Sequence, residues 1–214
     1  MICYNPKNPK NLKYPKYPII NHPNNLKYLN NLKNPKFMVE IRIHGRGGQG
    51  VVTAAELIAI AAFKSGKQAQ AFPSFGVERT GAPVESYARI DEQPIILRQQ
   101  IYQPNVLIIQ DATLLETVDV TKGCDKKTIV IINTAKAEFK INLPKNNIHI
   151  IDATKIALEI IGKNIVNTVI LGSFAKVTGL ITLESLREAI TEKFAGHDEL
   201  IAKNIKAVEK AYIE

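Results

Sequence analysis

The stretch that most constrains the fold of this chain is six residues long. Gly45-Arg46-Gly47-Gly48-Gln49-Gly50 stands between an alternating segment and a long apolar one. Before it, Val39–His44 (VEIRIH) alternates apolar and polar side chains, the pattern of a half-buried strand. After it, Val51–Phe63 (VVTAAELIAIAAF) is apolar almost all round, with Glu56 its only charge. Such a helix is buried on most faces, and its alanines let it lie close against a sheet. Lys64-Ser65-Gly66 closes it with a C-terminal cation and a left-handed cap. A strand passing through a G-x-G-x-x-G turn into a buried helix commits the chain to α/β architecture. It also brings backbone N–H groups to a helix N-terminus, where an anion gains roughly 0.3–2 kcal/mol. Arg46 is placed to add a forked donor for the same phosphate.

Periodicity carries the pattern onward. Gln68–Phe72 reads as a second strand, and Pro83–Ile90 (PVESYARI) alternates as a third. Asp91-Glu92-Gln93-Pro94 is a turn, so a hairpin with Ile95–Arg98 is expected over Pro83–Arg98. Continuous apolar runs at Val106–Ile109, Thr128–Ile132 and Ile148–Ile151 have the character of parallel strands covered on both faces. Two of these runs end alike, IIQDAT over Ile108–Thr113 and IIDAT over Ile150–Thr154. In each, Asp or Thr suits the N-cap of a following helix better than it suits catalysis. Near the C-terminus, Leu183, Leu186, Ile190 and Phe194 form a helical stripe after Thr182 as N-cap; Leu200, Ile201, Ile205, Val208 and Tyr212 form another. The expectation is an α/β, Rossmann-like doubly wound layer with a mostly parallel, mixed sheet and C-terminal helices.

A net charge of +8 and a pI near 9.4 suggest at first a nucleic-acid binder. Position removes the suggestion. Residues 1–37 hold seven lysines and no Asp, Glu or Arg, leaving a body with 21 basic and 20 acidic side chains. The same stretch holds six prolines and nine asparagines, with Asn-Pro-Lys at 5–7, 8–10 and 34–36, and no lasting apolar period. It is expected to be an extended, poorly ordered arm. As an arm it either binds nucleic-acid phosphates or is a passive extension. The third reading, and the favoured one, is that translation starts at Met38 and the domain is 38–214. No nucleic-acid partner is expected.

Two cysteines, Cys3 and Cys124, and four scattered histidines supply neither the four thiolates of an iron–sulfur cluster nor a zinc site. No metal site is expected in this chain. The absence of a disulfide framework, of a secretory h-region and of any apolar run near 20 residues points to a cytoplasmic chain with no membrane contact.

What the glycine loop holds is a separate question. A nicotinamide dinucleotide site wants an acid roughly 20 residues on, and no Asp or Glu occurs between Glu56 and Glu78. The alternative to a ligand is that the glycines only let the turn pack against a neighbouring subunit. The second constellation is Phe72-Pro73-Ser74-Phe75-Gly76-Val77-Glu78-Arg79-Thr80-Gly81-Ala82-Pro83. Two aromatics, two prolines and two glycines stiffen this loop, and a long stiff loop suits binding or subunit contact. A solvated surface pair at Glu78 and Arg79 is the other reading.

Taken together, IRIHGRGGQGVVTAAELIAIAAFKSGKQAQAFPSFGVERTGAPVESYARI closely resembles the gamma subunit of archaeal-type pyruvate:ferredoxin oxidoreductase (pyruvate synthase), in the 2-oxoacid:acceptor oxidoreductase family. Asn167–Gly172 (NTVILG), opening a helix, matches that family too. The 2-oxoglutarate enzymes look different in the second loop, with a Pro-Glu-x-Arg-Gly-Gly run. The family pattern starts at a methionine corresponding to Met38. The resemblance implies reversible conversion of pyruvate and coenzyme A to acetyl-CoA and CO2 with reduction of ferredoxin. It implies thiamine diphosphate, Mg2+ and [4Fe–4S] clusters in alpha, beta and delta partner subunits, and a chain inactive alone. No residue here is expected to be catalytic. By resemblance, Gly45, Arg46, Gly47, Gly48, Gln49 and Gly50 face coenzyme A or the thiamine site, and Phe72, Phe75, Glu78, Arg79 and Thr80 form inter-subunit or site-facing contacts. A branched-chain 2-oxoacid enzyme and a free-standing nucleotide-binding module stay open as alternatives.

Overall fold

In the computed structural model, described over residues 2–3, 38–74, 79–136 and 139–214, a seven-stranded sheet carries five helices. In chain order the strands are β1 (Ile2–Cys3), β2 (Val39–Arg46), β3 (Gln68–Pro73), β4 (Pro83–Asp91), β5 (Val106–Ile109), β6 (Ile129–Asn133) and β7 (Ile148–Ile151). The helices are α1 (Val51–Lys64), α2 (Ala153–Ile160), α3 (Val166–Thr178), α4 (Leu183–Lys193) and α5 (Asp198–Ile213). Of the expected arm over 1–37, Ile2–Cys3 pairs antiparallel with Gln70–Ala71; the rest lies outside the described residues.

Strand order across the sheet is β1-β3-β4-β2-β5-β6-β7. β2, β5, β6 and β7 are parallel, while β4 pairs antiparallel with both β2 and β3. The expected mixed α/β sheet is present, but its six pairings are three parallel and three antiparallel rather than mostly parallel. One pairing differs from expectation. Ile95–Arg98 forms no strand, because both edges of β4 are occupied by β2 and β3 and no edge remains for a hairpin partner.

The helical face holds the larger core, where Ile41, Ile43, Ile108 and Ile131 from the sheet meet α1 and α3. The reverse face lacks α-helices among the described residues, so only one side of the expected doubly wound layer is α-helical. Leu107, Ile109, Val130 and Ile132 are covered there by Leu114 from a 3-10 turn and by Val120 from irregular backbone. Two buried arginines pin that cover. Arg42 Nη2 donates to the carbonyls of Val120 (2.9 Å) and Lys122 (2.6 Å). Arg89, fully buried, donates to Glu40 Oε1 (2.9 Å), Gln70 Oε1 (3.2 Å) and the Gln99 carbonyl (2.6 Å). Arg89 is thereby satisfied by an ion pair and carbonyl oxygens, where a lone charge would be very costly, while Arg42 Nε has no partner among the described residues.

The local punctuation matches the sequence signals. Asp152 caps α2 through the Lys155 amide, and Thr182 with Ser185 forms a capping box on α4. Asp111 caps Ala112–Glu116, which is a single 3-10 turn rather than an α-helix. The β-branched Thr117, Val118, Val120 and Thr121 disfavour its continuation as an α-helix. On α3, Gly172 permits close helix packing: a Cβ there would lie 2.2 Å from the Val208 carbonyl oxygen of α5.

Candidate functional site

Strand order decides what sits beside the glycine loop. β4 is antiparallel to both β2 and β3, so β2 and β3 end at the same edge of the sheet. The loop after β2 and the loop after β3 therefore meet, although about thirty residues separate them in sequence. Gly47 N–H donates to the Ala82 carbonyl (2.8 Å) and Gly81 N–H to the Gly47 carbonyl (3.0 Å). Thr80 pairs with Gly47 as an isolated parallel bridge. A side chain at Gly47 has no room, since a Cβ would stand 2.2 Å from the Arg79 carbonyl oxygen.

Arg46 fastens this junction from outside. Its Nε donates to Asp111 Oδ2 (3.2 Å), Nη1 to the Gly81 carbonyl (3.0 Å) and Nη2 to Thr113 Oγ1 (2.8 Å). The expected phosphate fork is thus turned largely toward the chain's own groups, a correction to the sequence reading. Three of its five N–H donors are engaged, which leaves two for a ligand. Gln49 braces the turn from within: its Oε1 accepts from Arg46 N–H (2.8 Å), and its Nε2 donates to Asp111 Oδ2 (3.0 Å). Burial works against the Asp111 carboxylate. Hydrogen bonds from Thr113 and Gln49, with the Arg46 charge, outweigh it and hold the carboxyl below its usual range. Asp111 is therefore a fixed anion that orients the loop, in addition to its capping role.

At the tip, Gly48 is exposed with φ 92°, and no described residue lies within 4 Å of where its Cβ would be. Gly50 (φ 70°) caps α1 without a side-chain hydrogen bond, so the first-turn N–H groups of α1 have no side-chain cap. Beneath the loop, on the helical face, lies a polar floor. Both side-chain polar atoms of Gln110, Asn167 Oδ1 and Thr168 Oγ1 are buried without a hydrogen-bond partner among the described residues. Gln110 sits under Gly45 and Asn167 under Gly50; Val51 leaves no room for a Cβ at Gly45, and the Asn167 amide would have to move for one at Gly50. On the reverse face, His44 Nδ1 lies 3.7 Å from Glu85 Oε1. Burial drives the His44 pKa down to about 4, against the attraction of Glu85, so the ring is neutral at pH 7. Tyr87 donates to Glu85 Oε2 (2.8 Å), and burial with that bond pushes its hydroxyl up to about 12.

The structure brings Gly45–Gly50 together with Arg79 and Thr80. Arg79 and Thr80 are exposed at the junction. Phe72 is not at the site. It is buried on the reverse face against Tyr87 (ring centroids 5.1 Å apart) and under the Arg89 guanidinium (4.9 Å), because its position in β3 points it away from the helices. Phe75 and Glu78 lie outside the described residues. Sequence reasoning missed Gln110 and the reach of Asp111 and Thr113 to Arg46. The available signal was a polar Gln closing an otherwise apolar run in IIQDAT. Chemically the junction is a binding surface, and the Asp111 carboxylate beside it is fully hydrogen-bonded. Among the described residues, no group of three or more His, Cys, Asp or Glu is gathered to hold a metal ion.

The family described as pyruvate ferredoxin/flavodoxin oxidoreductase matches residues 40–214. The chain belongs to that family. It is 54% identical over 179 residues to the pyruvate/ketoisovalerate oxidoreductases common subunit gamma of Thermococcus kodakarensis, covering 82% of this chain and 96% of that one. It is 53% identical over 177 residues to a pyruvate synthase subunit PorC of Methanocaldococcus jannaschii, covering 83% and 97%. The crystal structure of a pyruvate oxidoreductase subunit from Thermotoga maritima, assigned EC 1.2.7.1, superposes with a TM-score of 0.72 at 37% identity, covering 84% and 97%. Within the family this is a gamma subunit of the pyruvate oxidoreductase. No helix among the described residues is long and apolar enough to cross a membrane.

Proposed function

We propose that this gamma subunit completes the coenzyme A side of a site assembled with alpha, beta and delta subunits in the cytoplasm. There pyruvate and coenzyme A become acetyl-CoA and CO2, and the two electrons released pass to ferredoxin. The observation that carries the reading is the interlocked pair of loops at one edge of the sheet, which presents Gly48, the uncapped start of α1 and Arg79 to a partner. Among the described residues the junction offers N–H donors for binding and orientation. Thiamine diphosphate with Mg2+, which supplies the carbanion chemistry, and [4Fe–4S] clusters belong on this reading to the partner subunits. The residues present fit a coenzyme A phosphate: unpaired N–H groups at the N-terminus of α1, an exposed Gly48, and two remaining Arg46 donors. Arg46 would hold that phosphate while keeping the two loops in register.

A second reading has specific support. The Thermococcus kodakarensis relative is named as common to pyruvate and ketoisovalerate oxidoreductases. One gamma subunit serving both a pyruvate and a branched-chain enzyme is compatible with a site that contacts coenzyme A rather than the 2-oxoacid. The test is native purification, followed by assays with pyruvate or 3-methyl-2-oxobutanoate, coenzyme A and ferredoxin, repeated with Arg46→Ala. A raised coenzyme A KM with intact assembly supports the site. An unchanged KM removes Arg46 from it, and a chain purifying alone and colourless favours a free-standing module.

A further inference from the structure

The segment between β4 and β5 has no regular structure from residue 92 to 105, yet it is firmly held. Three of its anchors hold residues 99–101. Arg89 Nη2 donates to the Gln99 carbonyl (2.6 Å), Arg42 Nη1 to the Ile101 carbonyl (3.5 Å), and Gln100 Nε2 to Ser74 Oγ (3.4 Å). Ile101 is buried beside Phe72 and Tyr87. The outward side is apolar: Ile96 is 87% exposed, Leu97 44% and Tyr102 65%. Three large apolar side chains thus face solvent within seven residues of a segment whose base rests on two buried arginines.

Scattered exposed apolar residues are ordinary, whereas a pre-organised cluster of them marks an interaction surface. Tyr and Arg are the residue types that dominate the centres of interfaces, and rigid presentation lowers the ordering cost of binding. Arg98 is exposed in the middle of this cluster and makes no ion pair among the described residues. Lys122 is likewise exposed and unpaired, and the turn that carries it abuts the arm, since a Cβ at Gly123 would lie 1.9 Å from the Tyr102 carbonyl oxygen. A second copy of this chain is a poor occupant. An isologous contact would bring Arg98 and Lys122 toward the same cations of the other copy. The arm is also continuous with the loop that follows β3, through Gln100 and Ser74, and so with the edge that carries the candidate site.

We propose that the Ile96–Tyr102 arm is a docking surface for a different subunit of the oxidoreductase, one that offers an apolar hollow with carboxylates at its rim for Arg98 and Lys122. The proposal rests on the gamma-subunit reading. Docking here would also seat the glycine-loop edge against that subunit.

The test uses the full chain co-expressed with the other subunits of its complex. Ile96→Asp changes a side chain that is 87% exposed. The melting of the free chain, followed by far-UV circular dichroism, is therefore expected to stay put, as for most surface substitutions. Recovery of Ile96→Asp in the purified complex is expected to fall at least about tenfold. Arg98→Glu is expected to lower recovery further at low salt than at high salt. An Ile96→Asp chain that assembles like wild type overturns the proposal. So does a wild-type chain that sediments as a homodimer alone and becomes monomeric on Ile96→Asp. The two readings fail differently. A wild-type chain that enters no pyruvate-oxidising complex defeats the gamma-subunit reading and the docking surface together. An active complex indifferent to both variants defeats the docking surface alone.

Discussion

Gly47→Ala isolates the contact that joins the two loops. Gly47 does not have a positive φ, so alanine is allowed there by the backbone and the perturbation is steric. The new Cβ would stand 2.2 Å from the Arg79 carbonyl oxygen, against an ordinary C···O contact of about 3.3 Å. The loops must part by ~1 Å, which stretches both Gly47–Ala82 (2.8 Å) and Gly81–Gly47 (3.0 Å) beyond hydrogen-bond range. Two backbone bonds at about 0.5–1.5 kcal/mol each give an expected loss of about 2 kcal/mol. Keeping the loops closed by overpacking costs about 1–3 kcal/mol, so neither route escapes the penalty. The assay is urea unfolding of the full chain followed by circular dichroism, since the protein has no tryptophan. Gly48→Ala is the control: nothing lies near its Cβ, and only its φ of 92° is strained, at about 1 kcal/mol. A cycle with Arg46→Ala adds a second check. Parted loops already weaken the Arg46–Gly81 bond (3.0 Å), so the two losses should fall short of additivity by at least about 0.5 kcal/mol. A Gly47→Ala chain within about 0.5 kcal/mol of wild type refutes the interlock.

Three further outcomes follow from the same geometry. His44 has a folded-state pKa of about 4 against 6.5, so the unfolded chain binds more protons between those values. The stability tied to its neutrality is full above pH 6.5 and is lost as pH falls to about 4. It is on the order of 3 kcal/mol, and His44→Gln should flatten that part of a melting-temperature-versus-pH curve. Gln110→Met removes two buried, unpartnered polar atoms; it should stabilise the free chain by about 1–2 kcal/mol in urea while raising the coenzyme A KM of the complex. Arg89→Met leaves Glu40 and Gln70 without their guanidinium partner and frees the Gln99 anchor. It should cost roughly 3–5 kcal/mol by thermal unfolding.

Much of the fold was legible in the linear pattern because its causes are local. The alternation of Val39–His44, the apolar wrap of α1 and the caps at Asp152 and Thr182 depend on neighbours a few residues away. That the two loops touch was not legible; the resemblance joined their motifs only as signatures of one family. Their contact depends on β4 entering the sheet between β2 and β3, which no periodicity specifies. The hairpin expected at Ile95–Arg98 failed for the same reason: a strand needs a free edge, and edges are assigned by the whole sheet.

The sequence alone therefore determined the strand–glycine–helix unit, the parallel apolar strands, the near-neutral body and the family. Only the tertiary structure decided what each polar side chain meets. It turned Arg46 toward Asp111 and Thr113, buried Phe72 under Arg89, and left Gln110 unpartnered beneath the loop. Backbone preferences are set by adjacent residues, whereas the partner of a long side chain is set by which strands lie side by side.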